Sequence, residues 1–158
     1  MPNPTLEQVL NTNNPISLMG ATDLNSIASG SAVLGTVVTS NVPGDAQGCG
    51  MPYARLKLHL DSQVVSAGGV VDGWFVTAAD GSVYTSEDAS HIPNRPPDFV
   101  FNPWVGTAAL NYETVALMPI CANIKVLVRN NALGAAFAAA NGTLKAYYFT
   151  DSYPSGQT

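Results

Sequence analysis

The sequence predicts an all-β protein, a jelly-roll-like β-sandwich of about eight strands that follows an extended N-terminal arm. From residue 31 onward, short β-branched runs are separated by Gly, Pro, Asn and Asp, as in antiparallel strands joined by turns. The run 53–60 places its leucines on one side and Arg55, Lys57 and His59 on the other, which indicates a strand with one buried face. A chain of 158 residues, 46% hydrophobic, has the size of one domain.

The first 30 residues are interpreted as an arm, and residues 31–158 as the sandwich. The apolar residues of the arm follow no sustained period, and a single helical turn is predicted at 6–10, after the cap candidate Thr5. The arm has few charges, which suits docking on a partner or on a neighbouring subunit, with a disordered terminus as the alternative. We therefore expect an interface that includes five residues of the arm: Leu6, Val9, Leu10, Ile16 and Leu18.

The body of the chain divides into strands and turns. Besides 53–60, the expected strands cover 32–39, 70–78, 83–85, 98–101, 113–118, 124–129 and 144–150. Asp80-Gly81 and Asn141-Gly142 are predicted turns, because Gly and Asn tolerate the positive φ that tight turns require. Three prolines in 91–98 predict an extended loop, and the Ala-rich segment 132–140 predicts a loop or a helical turn.

The low content of basic residues argues against partners that are strongly anionic. Only 11% of the residues are charged, the net charge is −5, and none of the six basic residues precedes Arg55, so neither nucleic acid nor an anionic membrane surface is an expected partner. We expect no signal peptide and no membrane span, because no apolar run of suitable length is present. Cys49 and Cys121 are expected to be separate thiols, with a single bridge between them as the alternative.

The sequence contains no pattern typical of catalysis or of cofactor binding, so we expect neither an enzyme nor a metal or cofactor site. A serine elbow, a zinc motif and a phosphate-binding glycine loop are all missing. The acidic residues Asp72, Asp80, Glu87 and Asp88 surround one predicted hairpin, and a solvated turn is the favoured interpretation over a calcium site. Aromatic residues are the remaining candidates for binding, and Trp74 and Trp104 complete the expected interface.

Four segments, 74–84, 95–101, 125–131 and 141–147, in this order and spacing, resemble virion structural proteins of tailed bacteriophages. The resemblance covers the C-terminal two thirds of the chain. It implies a β-sandwich capsid decoration or cement protein that binds the major capsid protein on the surface of the virion, often as a homotrimer. It implies no catalytic residue.

Three alternatives to a capsid decoration protein stay open on the sequence. A neck, tail or baseplate component is an alternative within the resemblance, and a carbohydrate-binding sandwich is an alternative that the aromatic residues favour. An enzyme is the third, with Asp72, Asp80, Glu87, Asp88 and Asp98 as its dense carboxylate group. The sandwich fold by itself does not decide among them, because it hosts unrelated activities.

Overall fold

The computed structural model describes residues 7–10, 15–39, 53–78, 83–119, 123–139 and 141–152. Within these ranges the chain forms ten strands and one short helix: β1 (Glu7–Leu10), β2 (Ile16–Met19), α1 (Ala21–Leu24), β3 (Ala32–Leu34), β4 (Val38–Thr39), β5 (Tyr53–Val65), β6 (Val70–Thr77), β7 (Phe99–Phe101), β8 (Gly106–Leu117), β9 (Asn123–Asn131) and β10 (Thr143–Ser152).

The strands form two antiparallel sheets of five. In the first sheet the order is β1-β10-β5-β8, with β2 also paired to β10; in the second it is β3-β9-β6-β7, with β4 also paired to β9. If β1 with β2, and β3 with β4, are each counted as one strand position, the first of eight positions pairs with the eighth, the second with the seventh, the third with the sixth and the fourth with the fifth. This is the arrangement of a hairpin ribbon folded over on itself, and it confirms the jelly-roll-like sandwich.

The core lies between the sheets and follows from the alternation of each strand. In β5, Leu56, Leu58 and Leu60 are fully buried while the intervening residues are not, as the sequence predicted. In the second sheet, Phe75 and Phe99 pack with ring centroids 5.3 Å apart. The Phe99 ring occupies the space that a side chain at position 73 would need, so β6 carries Gly73 there.

β5 is longer than the predicted strand and contains an irregularity. The register with β8 shifts between Leu60 and Gln63, and Ser62 has a φ of 48°. Beyond the shift, the buried Gln63 side chain donates to the carbonyl of Ala136 at 3.2 Å and accepts from the amide of Ala138 at 3.1 Å. This side chain therefore attaches the segment 132–139, which is a loop, to the end of the sandwich.

The expected arm needs correction, because part of it belongs to the sandwich. β2 pairs with β10, and Leu18 and Leu24 are fully buried in the main core. The carbonyl of Ile27 accepts a hydrogen bond from the buried Asn130 side chain at 3.0 Å. The helical turn predicted at 6–10 is also wrong, since 7–10 forms β1 against the end of β10, where backbone pairing is available.

Three other expectations for the strands change. The strand predicted at 32–39 is divided at Gly35, whose amide donates to the carbonyl of Val126 and where a side chain would crowd Met19. At 83–85 only an isolated bridge is present, between Ala78 and Tyr84, and Asp80-Gly81 lies outside the described residues. The strand predicted at 113–118 begins seven residues earlier, at Gly106. The predicted turn at 141–142 is consistent with the φ of 59° at Asn141.

Candidate interaction surface

The outer face of the first sheet, which we call the open face, displays the side chains of β5, β8 and β10 that alternate with the core residues. None of these side chains is buried. The face consists of Tyr53, Arg55, Lys57, His59, Asn111, Glu113, Val115, Leu117, Thr143, Lys145, Tyr147 and Phe149.

Strand register arranges these side chains in rows across the sheet. Tyr53 lies directly opposite Leu117, and in the next row Arg55 lies between Val115 and Tyr147. Directly opposite residues of antiparallel strands have their Cβ atoms about 4.5–5.5 Å apart, so the side chains of each row are in reach of one another. The two rows form one continuous apolar and aromatic patch around a single guanidinium group.

The patch is exposed to an extent that is unusual for such large side chains. Tyr53 is 50% exposed, Val115 55% and Leu117 59%. Single exposed apolar residues are ordinary on protein surfaces, but an adjacent group on one sheet surface is typical of an interaction site. The open face is therefore the candidate functional surface of this chain.

The polar rows of the open face hold an ion pair and a hydrogen bond. An Arg55 nitrogen lies 3.3 Å from a Glu113 carboxylate oxygen, and both side chains are more than 40% exposed, so this pair contributes at most about 1 kcal/mol. His59 Nδ1 lies 3.1 Å from the side-chain oxygen of Asn111. Neither arrangement contains a nucleophile with a base, so these rows offer binding groups rather than reactive ones.

The outer face of the second sheet, which we call the covered face, is enclosed by the chain itself. Trp74, Val76 and Leu127 form a second buried cluster, and Tyr84 and Ile92 of the segment 83–98 pack against it. The Trp74 indole nitrogen donates to the carbonyl of Arg95 at 3.2 Å. Strand β6 is therefore buried on both sides, which explains why burial along this strand does not alternate.

Charged side chains attach this cover to the second sheet. Arg95 donates to the Asp98 carboxylate at 2.7 Å and to the carbonyl of Phe75 at 3.2 Å, and the second Asp98 oxygen accepts from the amide of Phe75 at 2.7 Å. Lys125 lies over the Tyr84 ring, with its Nζ 4.4 Å from the ring centroid. Arg95 and Lys125 thus both interact with groups of the chain itself.

A buried ion pair lies beside the cover. Asp72 is almost fully buried and accepts from the Arg129 guanidinium and, at 2.9 Å, from the side chain of Asn131. The Arg129 guanidinium carbon also lies 5.4 Å from the centroid of the Trp74 ring. The carboxylate is satisfied by these donors, which gives Asp72 a structural role.

Trp104 lies apart from both faces, between β7 and β8, and is 78% exposed. Its ring meets the Tyr112 ring edge to face, with centroids 6.5 Å apart. Burial raises the pKa of the Tyr112 hydroxyl above its usual value. Trp104 is therefore the most accessible of the large hydrophobic side chains that the structure describes.

The acidic loop of the cover has one His–Asp pair. The Asp88 carboxylate accepts from the amides of Ser90 and His91, and His91 Nδ1 lies 2.9 Å from the same oxygen. These bonds, with the Ser90 amide as the largest cause, lower the pKa of Asp88. The carboxylate shapes a turn at the rim of an open depression of about 450 Å³. In the part of the chain that the structure describes, no group of three or more His, Cys, Asp or Glu side chains could hold a metal ion.

The structure distributes the expected interface residues among several places. Trp104 is exposed, whereas Trp74 and Leu18 are buried, which corrects the expectation that these two face a partner. Ile16 is partly buried against the core. Val9 and Leu10 lie in β1. Cys49 and Cys121 lie outside the described residues, as does Leu6.

Sequence reasoning missed the apolar patch of the open face. The signal was present, because Val115 and Leu117 share the parity of Glu113 within a single strand, and that parity faces outward. Tyr53 has the same parity as Arg55, which the sequence had already placed on the wet face. The pattern was sufficient to find the patch once the pairing of β5 with β8 was known.

No family model matches the chain, and neither the curated proteins nor the solved structures contain a match to it. Of the helices in the described ranges, none has the length and apolar character that crossing a membrane would require.

Proposed function

We propose that this chain is a structural protein of a tailed-phage virion, a capsid decoration or cement protein that binds the assembled head and stabilises it. The open face is the observation that supports this proposal most directly, because Tyr53, Val115 and Leu117 are half exposed beside one another on its surface. The low charge content and the sequence resemblance point in the same direction. The major capsid protein is the proposed partner, the assembly is a homotrimer, and no catalytic step is involved.

Binding to the assembled shell accounts for stabilisation without chemistry. A protein that binds only the assembled lattice shifts the equilibrium toward it by mass action. An apolar patch beside polar rows has the composition of a non-obligate interface, in which apolar residues exclude water and polar residues give register. The open face combines these two features within three strands.

Co-sedimentation with heads tests this function. Heads assembled from the major capsid protein of the same genome, without this chain, are mixed with the purified protein, and saturable binding at a fixed stoichiometry is expected. The double variant Val115→Asp with Leu117→Asp should lose binding, because it places two carboxylates in the patch. Val83→Asp is the control, since Val83 is 71% exposed on the cover and not on the open face. Absence of binding by the unmodified protein would refute the head-decoration proposal.

The oligomeric state and the position in the particle need separate measurements. Light scattering on a sizing column is expected to give the mass of a trimer, and a monomer would refute that part of the proposal. Immunolabelling of purified particles distinguishes the head from the neck, tail and baseplate. A label confined to the tail would replace decoration of the head by the alternative structural position.

A carbohydrate-binding role is the second candidate, and the exposure of Trp104 favours it. An indole that is 78% exposed, with Tyr112 at its edge, offers a surface on which a sugar ring can stack. A glycan array with the unmodified protein and with Trp104→Ala tests this role, and binding that disappears in the variant is expected. The absence of any signal on the array would exclude it. Trp74 is unsuitable for this test, because it is buried.

A further inference from the structure

The cations of the chain are divided between the two outer faces. Of the six Lys and Arg residues, Arg95, Lys125 and Arg129 each contact an acid or an aromatic ring on the side of the covered face. The remaining three, Arg55, Lys57 and Lys145, all lie on the open face. A chain of net charge −5 therefore presents half of its basic residues on one sheet surface.

Two of these cations are placed where they repel each other. Lys57 and Lys145 lie directly opposite each other in the pairing of β5 with β10, and like charges in this position destabilise a sheet. Glu113 is opposite Lys57 on the other side, but its carboxylate lies against Arg55. Within the described residues neither lysine forms an ion pair. Among the described side chains, no carboxylate lies within ion-pair distance of either lysine, so both can pair with an acid of a partner.

We propose that the open face docks onto an acidic protein surface, with a partner carboxylate held between Lys57 and Lys145 and partner apolar side chains against Tyr53, Val115 and Leu117. Opposed lysines with Cβ atoms about 5 Å apart can donate to a single carboxylate from both sides. The patch begins one row away, so charge and apolar contact are continuous. The identity of the partner rests on the proposed function; the acidic character of its surface does not.

A protein surface fits this face better than a lipid or a nucleic acid surface. Anionic membranes and phosphate backbones attract dense basic clusters, commonly of four or more Lys and Arg. The open face has three cations, and the carboxylate of Glu113 lies among them. A few discrete charges beside an apolar patch are typical of protein interfaces, in which electrostatic complementarity determines register and specificity.

Retention on a carboxymethyl matrix at pH 7 tests the open face without any partner, because the matrix itself presents carboxylates. At about 10 mM salt the Debye length is about 30 Å, so salt screens the attraction between the lysines and the matrix only weakly. The unmodified protein is expected to be retained despite its net charge of −5. Lys57→Gln with Lys145→Gln should flow through. The control, Asn94→Asp with Asn102→Asp, has the same net charge as that variant, changes exposed residues elsewhere, and should still be retained. Failure of the unmodified protein to bind, or equal behaviour of the two variants, would overturn the proposal.

The same proteins are then mixed with the heads described above and with vesicles of phosphatidylserine and phosphatidylcholine. The lysine variant is expected to bind heads about tenfold more weakly than the control. Full binding of heads by the lysine variant overturns the docking surface and leaves the proposed function in place. Retention on the matrix with no binding of heads supports the surface and refutes head decoration. Lysine-dependent binding to the vesicles would show that a membrane, not a protein, is the occupant.

Discussion

The two outer faces of the sandwich are built from similar residues and differ in what lies on them. The covered face presents Trp74, Leu127 and Arg129, and the chain returns over it with the segment 83–98. The open face presents aromatic, aliphatic and basic side chains that remain accessible. The same types of side chain therefore stabilise the fold on one face and are available for binding on the other. The difference depends on the long connection between β6 and β7, which covers only the second sheet.

The comparison predicts that equal truncations cost very different amounts at a covered and at an accessible position. Trp74→Ala removes an indole that is 98% buried, together with its hydrogen bond to Arg95, and should lower the free energy of unfolding by about 3–5 kcal/mol. Trp104→Ala removes the same side chain from an exposed position and should cost about 0.5 kcal/mol or less. Urea denaturation measures both.

Fluorescence gives the control for this pair of variants. Each single variant retains one tryptophan, so iodide should quench Trp74 weakly and Trp104 strongly in the folded protein. Similar quenching of the two residues, or similar losses of stability, would show that the second sheet is not covered by the chain.

The second prediction compares one ion pair on each side. Asp72→Ala leaves the Arg129 guanidinium without its buried counter-charge and should cost about 2–3 kcal/mol, since Arg129 retains some access to water. Glu113→Ala removes an exposed partner of Arg55 and should cost less than about 1 kcal/mol. Thermal or urea unfolding of both variants measures the difference. Comparable losses would contradict the distinction between a pair that stabilises the fold and a pair in solvent.

The fold class and strand β5 could be predicted from the sequence, because both follow from local hydrophobic periodicity. The alternation in 53–60 identified both faces of β5 before any pairing was known. In β6 the same rule failed to separate Trp74 from the surface, since both sides of that strand are buried and alternation no longer distinguishes core from solvent. Hydrophobic periodicity within a strand does not show that a segment from elsewhere in the chain will pack over its outer face.

The N-terminal segment shows the same limit. Ile16–Met19 is too short to show a period, and its burial arises from pairing with β10, more than a hundred residues later. The open face was partly predictable, because the wet side of β5 was recognised, but the apolar patch requires β8 beside it. Register, which brings Leu117 opposite Tyr53, joins two halves of a site that are separate in the sequence.

The third prediction concerns Lys57 and Lys145, and here the substitution is expected to stabilise the fold. Lys145→Gln relieves the repulsion with Lys57 and should raise the free energy of unfolding by a few tenths of a kcal/mol. The gain should shrink as salt screens the charges, so urea denaturation at about 20 mM and at about 1 M salt measures it. On the covered face, Lys125→Gln should instead destabilise, because it removes the contact with the Tyr84 ring. A loss of stability in Lys145→Gln would contradict the unpaired arrangement.

The smallest expected effect is local and belongs to the cover. Hydrogen bonds from the amide of Ser90, then from the His91 ring and the His91 amide, hold the pKa of Asp88 below its ordinary value of 3.8. These bonds are therefore intact above that value and are lost as the pH falls through the lower pKa of the folded state. Amide chemical shifts of Ser90 and His91 should change in that acidic range and not in Asp88→Asn, whereas the amides of β5 should not follow the same titration. Shifts that persist in Asp88→Asn would assign the titration to another group and leave this turn without a role in the acid response of the cover.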